Sequence, residues 1–170
     1  MDLKELVRSI PNFPKAGILF RDITPLIGDA DGFAALIAEM ANALRDANVD
    51  VVVGPEARGF IFGAALAQAL HAGFVPARKP GKLPYDTISY EYALEYGTDR
   101  LEIHADAIRP GQRVAIVDDL LATGGTAAAC AKLVEKAGGT VVGCVFAIEL
   151  TDLPGRKALC DYPVHTILQY

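Results

Sequence analysis

The stretch VAIVDDLLATGGT, Val114 to Thr126, sets two carboxylates directly against a loop of small residues. An apolar run suited to a buried strand leads into Asp118 and Asp119. Leu120 to Thr126 then supplies two glycines, two threonines and no basic residue. Between a strand and the start of a helix, several backbone N–H groups lack helical partners. Small side chains let an anion come close to the chain, and the helix dipole adds a partial positive charge. The hydroxyls of Thr123 and Thr126 add donors, so a phosphate fits without any lysine. The loop carries neither a Walker A pattern nor a G-x-G-x-x-G fingerprint. Asp118 and Asp119 would repel a phosphate that they faced, but they accept hydrogen bonds from vicinal hydroxyls such as those of a ribose. The element therefore reads as one site for a ribose 5-phosphate. The competing reading is a plain strand-to-helix turn marked by acids and glycines.

Two further stretches carry charge that chemistry could use. RKPGK places Arg78, Lys79 and Lys82 close together in a chain whose formal net charge is −5. Such a cluster could neutralise a pyrophosphate; by itself it is more often a solvated face. GPEARG contributes Arg58 after a short β-branched run. His71, His104 and His165 are scattered and suggest no catalytic dyad. Cys130, Cys144 and Cys160 are odd in number and show no zinc spacing, which fits reduced thiols in a cytoplasmic protein. The acidic balance argues against nucleic acid as a partner. The opening residues lack the apolar core of a signal peptide, and no apolar run reaches the roughly 20 residues that span a bilayer.

The positioning elements follow from periodicity. With 170 residues, 52% of them hydrophobic, the chain suits one domain with an ample core. Short apolar runs at Val49–Gly54, Phe74–Arg78, Arg113–Asp119, Thr140–Leu150 and the closing PVHTILQY read as strands. Gly32–Asn48, Gly59–Gly73 and Thr126–Gly139 read as helices. Asp2–Ile10 reads as a short amphipathic helix ending at Pro11, and Phe13–Pro25 as a loop. Alternation of this kind indicates a parallel sheet covered on both faces. Ligands then sit beyond the C-terminal ends of its strands, where GPEARG, RKPGK and DDLLATGG all fall. Pro80–Asp106 breaks the alternation and reads as a hairpin inserted at the ligand end, a candidate lid.

The motif VAIVDDLLATGGT resembles the 5-phosphoribosyl 1-pyrophosphate (PRPP) motif of type I phosphoribosyltransferases, in the form found in adenine phosphoribosyltransferases. FPKAGILFRDITP resembles the base-binding hood of that family. GPEARGFIFGAALA resembles its pyrophosphate loop, and RKPGKLPYDTISYEYALEYGTDRLEIH its flexible catalytic loop. IELTDLPGR also matches. These blocks keep the family's order and cover most of residues 10 to 156.

The resemblance implies an α/β fold of the type I phosphoribosyltransferase kind: a central, mostly parallel sheet flanked by helices. A small hood over about 1–30 and a flexible loop over about 79–104 would belong to the same single domain of residues 1–170. It implies transfer of the phosphoribosyl group from PRPP to N9 of adenine, giving AMP and pyrophosphate. Ala122, Thr123, Gly124, Gly125 and Thr126 would bind the 5-phosphate, and Asp118 and Asp119 the ribose hydroxyls. Ala57, Arg58, Arg78, Lys79 and Lys82 would bind pyrophosphate, with a cis peptide between Glu56 and Ala57. Leu19 and Arg21 would read adenine through their main chain, Phe20 and Leu150 would sandwich it, and Arg58 would border it. Glu95 would act as acid or base near N7, and Tyr96 would close over the site with it. Mg²⁺ would bind mainly through PRPP, with no direct protein ligand. A homodimer is expected, with small-molecule substrates and neither nucleic acid nor membrane as partner. A transferase for another purine, a PRPP-sensing regulator and a plain nucleotide-binding module are the alternatives.

Overall fold

The structure is a computed structural model and describes residues 1–94 and 96–170. A single 3₁₀ turn, Leu3–Leu6, opens the chain, with the Asp2 carboxylate accepting from the Lys4 amide at 2.9 Å. β1 (Arg8–Pro11) and β2 (Leu19–Asp22) then pair antiparallel, Arg8 opposite Asp22 and Pro11 opposite Leu19. The helix expected over Asp2–Ile10 is thus confined to its first turn. So short a helix is marginal in water, and the facing strand satisfies the backbone from Arg8 onward. For the same reason the expected loop Phe13–Pro25 holds a strand. α1 (Thr24–Gly28) follows, started by Pro25, and then α2 (Ala30–Ala43), capped by Asp29, whose carboxylate accepts from the Gly32 amide at 2.7 Å.

β3 (Val51–Pro55), α3 (Gly59–Ala69) and β4 (Gly73–Ala77) form the first β-α-β unit. β5 (Thr87–Leu94) and β6 (Gly97–His104) make the antiparallel hairpin expected of Pro80–Asp106. β7 (Arg113–Leu121), α4 (Gly125–Lys136), β8 (Thr140–Glu149), the short α5 (Gly155–Ala158) and β9 (Val164–Gln169) complete the chain. The main sheet runs β4-β3-β7-β8-β9, and all four pairings are parallel.

Both faces of this sheet are buried, which is why its strands read as unbroken apolar runs. Strand alternation sends Val51, Val53, Val114, Ile116, Cys144 and Phe146 toward the α4 side, where Leu133 and Val134 pack on them. Val52, Ala115, Val117, Val145 and Ala147 point the other way, onto Leu36 and Met40 of α2 and Phe62 and Leu66 of α3. The hairpin is tied to the first core through Leu101 and Ile103, both fully buried. Lys136 Nζ donates to the Ser89 carbonyl at 3.1 Å, and Arg78 and Glu102 exchange backbone hydrogen bonds of 2.9 and 2.8 Å. Among the described residues no helix is long and apolar enough to cross a membrane.

From β3 the chain winds to β4 on one side and later to β7 on the other, so the strand order reverses between β3 and β7. A crevice at such a switch point is where open α/β sheets place ligands.

Candidate active site

The ends of β3 and β7 deliver the key residues to that crevice. Because neighbours on a strand face opposite ways, Asp118 continues the α4-side row and Asp119 the α3-side row. The acid pair therefore divides two concavities instead of facing one.

On the α4 side lies a small cradle of about 90 Å³, lined by Asp118, Phe146 and the run Leu120–Ala127. All five residues assigned to the 5-phosphate line it. Gly124 precedes α4 in the left-handed conformation, at φ 83°. A Cβ there would lie 2.7 Å from the Gly155 carbonyl oxygen and 2.8 Å from Ala158 Cβ. Only glycine meets both the dihedral and the space. The Tyr92 ring comes down over Gly125, near enough that a Cβ at that position would touch it at 3.8 Å. Tyr92 Oη also donates to Asp99 at 3.3 Å.

On the α3 side lies an apolar cavity of about 390 Å³. Leu19, Phe20 and Arg21 of β2, Arg58, and Leu150 beyond β8 all line it, as do Ile61, Ile148, Leu120 and Asp119. Phe13 meets Phe20 edge-on, with ring centroids 5.2 Å apart. The wall residues Ile61 and Ile148 had no place in the sequence reading, where each looks like ordinary core. A hint was available for Ile61, which stands one helical turn after Arg58.

Arg58 Nε donates to Asp119, forming an ion pair between two residues that line this cavity. That hydrogen bond comes first among the influences that raise the Arg58 pKa. Burial, followed by the neighbouring Asp119 carboxylate, pushes Asp118 well above the usual carboxylate range. Asp118 Oδ1 accepts the Asp119 amide at 2.9 Å. A Cβ on Gly59 would stand 3.0 Å from that oxygen, so the start of α3 is pressed against the carboxyl.

The cationic residues gather at the end of β3 around Glu56, which the sequence reading did not single out. The Lys79 amide donates to Glu56 Oε1 at 2.7 Å, Lys82 Nζ pairs with Oε2, and Arg78 Nε stands 3.5 Å from Oε1. Burial raises the Glu56 pKa, but the bonds from Lys82 and the Lys79 amide outweigh it and hold the carboxyl below its ordinary value. Lys79 Nζ pairs with Asp99 of the hairpin. The Glu56–Ala57 peptide is cis, as the resemblance implies, and so is Phe13–Pro14. Tyr96 stands at the hairpin tip, 96% exposed. Glu95 lies outside the described residues. Among the described residues no group of three or more His, Cys, Asp or Glu is placed to hold a metal ion.

Residues 27–168 match the phosphoribosyl transferase domain family. An adenine phosphoribosyltransferase from Clostridium botulinum is 64% identical over all of this chain and 99% of its own length. The crystal structure of the adenine phosphoribosyltransferase from Thermoanaerobacter pseudethanolicus superposes with a TM-score of 0.96 at 57% identity, covering 99% of this chain and 98% of that one. The Saccharomyces cerevisiae enzyme, solved in complex with an imino-altritol bisphosphate and adenine, superposes at 0.90 with 44% identity over 97% and 96% of the two chains. The divided crevice, the fold that builds it and these likenesses over nearly the whole chain agree: the chain belongs to the phosphoribosyl transferase family and, within it, to the adenine phosphoribosyltransferases.

Proposed function

We infer that this protein transfers the 5-phosphoribosyl group of PRPP to N9 of adenine, releasing pyrophosphate and forming AMP. The observation that carries the reading is the division of the crevice at Asp118–Asp119. A glycine-built polar cradle lies on one side, an apolar cavity on the other, and a cationic corner at the end of β3. A phosphorylated pentose, a flat base and a diphosphate match those three environments.

In this reading the amides of Ala122–Thr126 and the hydroxyls of Thr123 and Thr126 hold the 5-phosphate. Asp118 and Asp119 accept the ribose hydroxyls. As the bond to pyrophosphate breaks, positive charge grows on the ribose ring, and fixed negative charge beside it stabilises that change without reorganisation. Arg58, Arg78, Lys79 and Lys82 take up the departing pyrophosphate with the Ala57 main chain, which requires Lys79 and Lys82 to exchange Asp99 and Glu56 for phosphate oxygens. Main-chain groups of Leu19 and Arg21 read the edge of adenine, while Phe20 and Leu150 pack on its faces. Glu95 serves as the acid or base near N7, and Tyr96 helps to exclude water. Magnesium, a hard cation, would be carried mainly by the oxygens of PRPP, with no direct protein ligand, and would supply charge neutralisation on the pyrophosphate. The protein acts on small molecules in the cytoplasm, as a homodimer and without nucleic acid or membrane, as the family resemblance and the acidic charge suggest.

The test is to incubate the protein with PRPP, Mg²⁺ and, in turn, adenine, hypoxanthine, guanine and xanthine, and to resolve the nucleotides formed. AMP from adenine is expected. Nucleotide from another base in preference, or none at all, overturns the reading.

A further inference from the structure

The motif IELTDLPGR supplies Leu150 to the base cavity, but two of its three charged groups, Glu149 and Arg156, form a pair that serves none of the roles above. Glu149 ends β8 and is 6% exposed. Its Oε1 accepts Arg156 Nε at 2.8 Å. Its Oε2 accepts Arg156 Nη2 at 2.9 Å, Thr166 Oγ1 at 2.8 Å and Gln169 Nε2 at 3.2 Å. Two parallel bonds from one guanidinium form the fork geometry that fixes direction as well as distance. Arg156 reaches further, to the Val164 carbonyl at 3.3 Å and Thr166 Oγ1 at 3.2 Å. One side chain thus ties α5 to both β8 and β9.

The opposite side of α5 lies on the phosphate loop. A Cβ on Gly155 would stand 2.6 Å from the Ala122 carbonyl oxygen, and one on Gly124 would stand 2.7 Å from the Gly155 carbonyl oxygen. The two backbones touch with no side chain between them. A helix of a single turn has little stability of its own, and α5 has no side-chain cap at its start. Its position is therefore set from outside, by the buried Leu159 and by the Arg156 clamp.

We propose that Arg156, gripped by Glu149, is a positioning residue for the phosphate cradle: it holds α5 as the backing against which Ala122 and Gly124 set their N–H groups. This rests on the reading of the cradle as the 5-phosphate site. The clamp predicts an asymmetry between substrates. Losing it shifts the cradle but leaves untouched the cavity walls at β2, Arg58 and Ile61.

Arg156→Met removes the fork, and Arg156→Lys keeps the charge without it. Steady-state kinetics should show the KM for PRPP rising about ten- to a hundredfold in Arg156→Met, the scale expected of a small misplacement of binding groups. Arg156→Lys should recover only part of that, and the KM for adenine should stay near wild type in both. Calorimetry with ribose 5-phosphate should show the same weakening and decides the inference even if the base assay fails. A folded Arg156→Met with unchanged ribose 5-phosphate affinity overturns the proposal. So does a parallel rise in both KM values. If neither variant folds, the clamp serves the fold alone and the proposal also falls.

Discussion

The two sides of the crevice are built by opposite means. The cradle proposed for the phosphate is built mostly from one contiguous run, Leu120–Ala127, with a main chain shaped by Gly124 at φ 83°. The base cavity is assembled from four separate segments, and its surface is mainly side chain. A main-chain site depends on dihedral angles and has little tolerance for added atoms. A side-chain site depends on shape and area and gives way gradually. Substitutions on the two sides should therefore differ both in size and in which substrate they affect.

The largest effect belongs to the residue that joins the two sides. Asp119 borders the base cavity, pairs with Arg58 and adjoins Asp118 of the cradle. In the proposed reading its loss removes a ribose anchor and fixed charge next to the reacting carbon; in the structure it leaves Arg58 without its partner. Asp119→Ala should lower kcat/KM by about a thousandfold, the scale at which preorganised groups act on developing charge. Steady-state kinetics in both substrates reads this, and a loss of less than about tenfold would show that the two sides work independently.

Next in size is Gly124→Ala. The added Cβ meets the Gly155 carbonyl, and the left-handed dihedral costs an L-residue about 1–2 kcal/mol in addition. The KM for PRPP should rise about a hundredfold while adenine binding persists. Leu150→Ala, on the other side, opens the cavity without straining any backbone. It should raise the KM for adenine by only about tenfold, the scale of losing part of one apolar side chain, and spare PRPP. A comparable response of both KM values to either variant would erase the distinction between the sides.

The same contrast explains how far the sequence could be read. The cradle is local: acids, threonines and glycines stand in one run, and their spacing already states what the backbone must do. The parallel sheet was equally plain, because strands buried on both faces leave long apolar runs such as Val51–Val53 and Val114–Val117. The cavity was not legible from pattern. Ile61 and Ile148 look like core because apolar walls and core use the same residues, and only family resemblance singled out Leu19, Phe20, Arg21 and Leu150. The ion pairs Arg58–Asp119 and Lys79–Asp99 join residues far apart in the chain, so spacing gave no sign of them. The first strand was misread as helix because its partner lies beyond a loop, and local periodicity does not see partners.

The smallest effect expected is on stability, and it separates the cradle's carboxyl from the carboxylate behind it. Asp118 is raised well above its ordinary value of 3.8, by burial and then by Asp119. The folded protein thus holds that proton more tightly than the unfolded chain, and stability falls as the pH rises through the window between 3.8 and the raised value. Glu149 is the reverse case: the Arg156 hydrogen bonds come first and hold it below 4.5. Its contribution is present above 4.5 and is lost as the pH falls through the lowered value. Thermal melts of wild type, Asp118→Asn and Glu149→Gln across this range should resolve the two. Relative to wild type, Asp118→Asn should gain Tm as the pH climbs from about 4 toward neutrality. Glu149→Gln should lie below wild type at neutral pH and approach it in acid. Two offsets that do not vary with pH would mean that neither carboxyl is held away from its ordinary value, and that the two acids differ in packing alone.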